Sequence, residues 1–128
     1  MNILDFLKNI DAVTRRTEQF VHTRFSEQAG EDVIFTLQAL GFDKLEEIHR
    51  DHEDDSDVYI VLDGIKEPNL RDESLLKKYK VHGGYDELIK KVFLPGEIKR
   101  IATHVLALSG YRADSVKKLE KNSQSVQA

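Results

Sequence analysis

The stretch that decides the fold is Leu45-Glu46-Glu47-Ile48-His49-Arg50-Asp51-His52-Glu53-Asp54-Asp55-Ser56-Asp57-Val58-Tyr59-Ile60-Val61-Leu62-Asp63-Gly64. Its end is dense in β-branched and aromatic residues, so 57–64 reads as a strand. A strand cannot stand alone, because its backbone N–H and C=O groups need a ladder. The nearest candidate partner is 44–52, folded back as a β-hairpin across the acidic loop 53–56. A competing signal lies in the same residues. Asp43-Lys44-Leu45-Glu46 has the spacing of a capping box, and Phe42, Leu45 and Ile48 step by three, as a short helix would. The expected structure is the hairpin, with 79–82 and 92–94 as weaker strand candidates.

The chemistry of this stretch depends on that choice. His49, Asp51 and His52 are a ligand set that zinc, manganese or iron would accept, and a metal-dependent hydrolase is one reading of them. On a helix His49 and His52 share a face; on a strand they point to opposite faces. The hairpin therefore argues against the metal. A calcium loop started at Asp51 fails, with Ser56 at the turn glycine and Leu62 at the bidentate glutamate. The remaining reading is an exposed acidic segment, with Asp51, Glu53, Asp54, Asp55 and Asp57 as a docking surface for a basic partner.

Outward from this stretch the chain reads as helix. Towards the N-terminus, Ile3, Phe6/Leu7, Ile10, Val13, Thr17, Phe20/Val21 and Phe25 recur at three-to-four spacing over 3–28, with Gly30 as a stop. A second helix is expected over 31–40, with Val33, Ile34, Leu37 and Leu40 inward and Gly41 at C′. Together these form a helical hairpin. Towards the C-terminus the pattern predicts amphipathic helices over 70–80, 85–94 and 95–109, with Pro95 tolerated in a first turn. A last basic helix is expected over 113–121. The expected architecture is α+β and predominantly helical, with one globular domain over 1–122 and a frayed tail at 123–128.

Composition narrows the function. The 128 residues include 19 Lys+Arg, 23 Asp+Glu and no Cys. Disulfides, thiolate metal sites and cysteine nucleophiles are thereby excluded. No apolar run reaches the ~18 residues of a membrane span. The N-terminal residues lack a basic segment followed by an unbroken apolar one, so a cytoplasmic location is expected. Residues 1–64 hold 6 basic and 15 acidic side chains, whereas 65–128 hold 13 and 8. Such asymmetry fits two faces of one fold, self-association into a homo-oligomer, or a basic nucleic-acid surface.

Residues 105–119 resemble a helix-turn-helix in outline, with Gly110 at the turn. Arg112, Ser115, Lys117, Lys118 and Lys121 would then face nucleic acid. Leu106 and Ser109 depart from that pattern, where a small and an apolar residue belong. His22, His82 and His104 are scattered, and no spacing joins one to a nucleophile and an orienting acid. Neither a phosphate-binding glycine loop nor a Walker motif occurs. The reading is a small non-catalytic regulatory module that needs no cofactor and acts through protein–protein contacts, another protein being the expected partner. Nucleic-acid binding through 95–121 and the metal-dependent hydrolase are the alternatives.

Overall fold

A computed structural model describes residues 1–120. The expected tail at 123–128 lies outside the described residues. The order of elements is α1 (Ile3–Asn9), β1 (Thr17–Val21), α2 (Thr23–Ala29), β2 (Ile34–Gln38), α3 (Phe42–Asp51), α4 (Ser56–Gly64), β3 (Ile65–Glu67), α5 (Glu73–Lys78), α6 (Tyr85–Val92) and α7 (Pro95–Leu108). This is an α+β, mostly helical fold with a three-stranded antiparallel sheet ordered β1-β2-β3. No helix among the described residues is long and apolar enough to cross a membrane.

The expected hairpin at 44–63 is replaced by two helices. In α3, Leu45 and Ile48 are buried while His49 and Arg50 stay exposed, the one-sided pattern that the three-residue step implied. In α4, Val58, Ile60, Val61, Leu62 and Gly64 are all buried, so the helix is covered on almost every side. It packs against α3, α6 and α7. A short apolar run is ambiguous between a buried strand and a buried helix. Here contact with three neighbouring helices outweighs the β preference of Val58, Ile60 and Val61, a term spanning only ~1 kcal/mol across all residue types. The strand lies immediately beyond, at β3.

The expected N-terminal helical hairpin is also absent. Residues 3–28 divide into a short helix, an irregular linker at 10–16, a strand and a second short helix. Over 31–40 the governing period is two: Phe35, Leu37 and Ala39 are buried, whereas Ile34 is 49% exposed. Those alternating residues face the core from β2. In the β1–β2 ladder Phe20 pairs with Phe35 and Glu18 with Leu37. Gly30 does end a helix, at φ 78°, whereas Gly41 begins one as the N-cap of α3.

The C-terminal helices are close to expectation in α5, α6 and α7, and Pro95 occupies the first turn of α7. Asp72 caps α5 by accepting the Ser74 N–H at 2.9 Å. The strand candidates 79–82 and 92–94 form no strand, and residues 113–120 form turns and irregular backbone instead of the last basic helix.

Gly64, at the end of α4, meets α7 at Val105. A Cβ built on Gly64 would lie 2.5 Å from Val105 Cγ2, so the helices approach too closely for any side chain there. Gly64→Ala should lower the unfolding free energy by about 1–3 kcal/mol through overpacking. In urea denaturation, Val105→Ala combined with it should cost less than the sum of the two single changes, because each relieves the other's misfit.

Candidate functional site

The residues singled out in the acidic stretch do not converge. Asp51 closes α3 and is paired with Arg50 at 3.0 Å. That pairing, led by the Arg50 hydrogen bond, holds its carboxyl below the usual range. His49 is exposed on α3, while the His52 ring stacks on Tyr59 with centroids 3.5 Å apart. The two imidazoles therefore serve different surroundings. Among the described residues no group of three or more His, Asp or Glu is placed to hold a metal ion. Glu53, Asp54 and Asp55 form the turn between α3 and α4, and Asp57 lies in the first turn of α4, where a carboxylate opposes the positive helix end.

The basic set at the C-terminus is no more coherent. Arg112 pairs with Asp114 at 3.2 Å, and the Ser115 hydroxyl donates to the Gly110 carbonyl at 2.7 Å. Lys117 and Lys118 are exposed on irregular backbone, and Lys121 lies outside the described residues. No recognition helix presents them over 113–120.

The structure instead gathers polar and apolar groups between β1 and α7. A cleft of about 240 Å³ is lined by Phe20, Val21, His22 and Thr23 from the β1–α2 corner, Phe35 and Leu37 from β2, and Gly96, Glu97, Arg100, Ile101 and His104 from α7. That volume is below the ~300–1,000 Å³ of small-molecule sites. Its floor is apolar, from Phe35 and Leu37. Its rim carries Arg100 and His104, and the His104 ring lies 4.4 Å from that of Phe20.

One end of the cleft is held by an ionic clamp. Arg24 Nε and Nη2 donate to the two Glu97 carboxylate oxygens at 2.9 and 2.8 Å, and Nη2 also reaches the Val92 carbonyl at 3.0 Å. Glu97, in the first turn of α7, also accepts the Leu94 N–H at 2.8 Å, half of a capping box. The clamp thus ties α2 to the start of α7. The Arg24 hydrogen bond, ahead of all other causes, holds the Glu97 carboxyl down at about 2.

His22 sits behind the clamp at the N-cap of α2. Its Nδ1 accepts the Phe25 N–H at 3.2 Å, so the proton belongs on Nε2. The ring stacks on Phe25 at 3.9 Å and lies 5.7 Å from both Phe35 and Phe93. Nε2 is buried 3.5 Å from Glu97 Oε1 and makes no hydrogen bond of good geometry. Burial lowers the His22 pKa and outweighs the opposing pull of Glu97, so the imidazole is held neutral. This histidine is a structural N-cap inside an aromatic cluster. The sequence placed it on a helix beside an apolar stripe, and nothing in its spacing marked it as an N-cap.

Both groups favour the fold at neutral pH, with the same sign. His22 is kept below its ordinary 6.5, so its contribution is complete above 6.5 and is lost as pH falls from there through the folded value. Glu97 moves from 4.5 to about 2, so its contribution is complete above 4.5 and is lost as pH falls towards 2. Thermal denaturation against pH should show stability dropping in both windows. Glu97→Gln should cost about 1–3 kcal/mol at pH 7 and flatten the slope between pH 4.5 and 2.

No curated protein matches the chain. The solved crystal structure of the protein yqbn is similar, with a TM-score of 0.65 at 18% identity, covering 79% of this chain and 90% of that one. At that identity the likeness concerns the fold. Residues 52–122, which run from the end of α3 through α4 and α7, match the family described as Phage XkdN-like tail assembly chaperone protein, TAC. That match spans more than half the chain and includes the buried helix on which the fold is built, and so the chain belongs to the XkdN-like phage tail assembly chaperone family.

Proposed function

We propose that the chain is a non-enzymatic assembly factor that holds a segment of an unassembled phage tail protein in the cleft between β1 and α7. The observation that carries this reading is the cleft itself: an apolar floor, open to solvent, with the Arg100 guanidinium at its rim. Its side chains suit an amphipathic segment, whose apolar residues would enter while its acidic ones meet Arg100. Val21, 53% exposed at the end of edge strand β1, adds apolar surface beside it. Family membership supports a protein as the ligand.

The acidic connection between α3 and α4 supports a second, cooperating contact. Asp51 is already engaged by Arg50, which leaves Glu53, Asp54, Asp55 and Asp57 to provide the field. Such a field would steer a basic patch on the partner and raise the association rate more than the lifetime of the complex. Asp54→Asn, Asp55→Asn and Asp57→Asn together should slow association and flatten its dependence on salt; an unchanged on-rate removes this contact.

Co-expression of the chain with each tail structural protein in turn, followed by size-exclusion chromatography, tests the main reading. One tail protein should remain in solution and co-elute. Val21→Asp combined with Arg100→Glu should weaken that complex at least about tenfold with little change in melting temperature, since both positions are exposed. Co-elution with none, or an undiminished complex in the double variant, would overturn it.

A further inference from the structure

The first helix has no place in the core. Ile3, Leu4, Phe6, Leu7 and Ile10 are each between 49% and 67% exposed, and no residue of α1 is buried. Exposed single leucines are ordinary, but four large apolar side chains on one short helix, with Ile10 at its C-cap, form a contiguous face that water disfavours. The same chain carries an open apolar cleft, and its β1 wall follows directly from the linker that leads out of α1.

We infer that α1 is the cleft's own internal ligand, a tethered helix that closes over the β1–α7 cleft and must be displaced by a client. Three observations support it. The linker at 10–16 is irregular and exposed throughout, and seven extended residues reach roughly 23 Å. The five residues of β1 extend about 17 Å, so α1 can fold back to the Phe20–Val21 end. Charges match as well. Asp5 on α1 has no ion-pair partner among the described residues, and neither has Arg100 at the rim, because Glu97 is taken by Arg24.

Tethering also decides between this chain and another copy. A short flexible linker gives an effective concentration in the millimolar range, well above that of a micromolar second copy. The closed state is therefore intramolecular. Its role in regulating a client rests on the function proposed above, but the contact itself does not, and it is tested with no client present.

The absence of Cys allows a clean test in the full chain. Leu4→Cys or Leu7→Cys is combined with Ile101→Cys, or with Val21→Cys as an exposed second anchor, and incubated with oxidised glutathione. Non-reducing electrophoresis and mass spectrometry then follow the disulfide. At least one pair should close mainly within the chain, to the same extent after tenfold dilution. Adding Ile3→Asp and Phe6→Asp should slow closure about tenfold, which mere collision on a tether would not do. Asp5→Arg should slow it roughly two- to fivefold, and Arg100→Glu in that background should restore it. No intrachain disulfide in any pair, bonds only between chains, or closure indifferent to the aspartates would overturn the inference.

Discussion

The fold depends on finding cover for α4. A helix with apolar residues around most of its circumference cannot lie on a surface, so neighbours must enclose it. The amphipathic helices α3, α6 and α7 do so, packing against it from three sides. Gly64 sets how closely α7 approaches, because the missing side chain admits Val105 directly. β3 follows α4 without a loop, which brings the strand to the edge of β2. The placement of the sheet is in this sense a consequence of the packing of one helix.

The sheet and the helical layer are then joined at a second point. Glu97 is asked to do three things at once: begin α7, bind Arg24 and face His22. A carboxylate with two Arg24 contacts and a backbone donor remains ionised without much loss from its partial burial. The aromatic cluster of His22, Phe25, Phe35 and Phe93 lies behind it and fills the corner. The cleft opens beside this corner, so its walls are fixed by packing while its mouth stays accessible.

Legibility was uneven along the chain, for physical reasons. The α5–α7 helices could be read because each has one apolar face, a spacing that no strand reproduces. Before them, chance agreement between periods was misleading. Phe20, Phe25 and Leu37 fit a helical step, yet Leu37 belongs to an alternating pattern seen only when Phe35 and Ala39 are counted with it, and Phe20 is held by its ladder pairing with Phe35. Of the cleft, His22 and His104 drew notice as isolated histidines, but nothing in their spacing joined them to Glu97, Arg24 or Ile101. The acidic and basic clusters, in contrast, were conspicuous because charge is dense in sequence; density along the chain does not bring side chains to a common point.

The sequence by itself determined the α+β class, the amphipathic C-terminal helices, the exclusion of thiol chemistry and the acidic character of the segment before α4. Those are properties of local spacing and composition. Tertiary structure alone decided that Val58–Leu62 is helix and that 34–38 is strand, because both have the apolar content for either and only their neighbours supply the choice. It also made the cleft, since Arg24 and Glu97 stand far apart in the chain and meet only when the sheet is laid against α7.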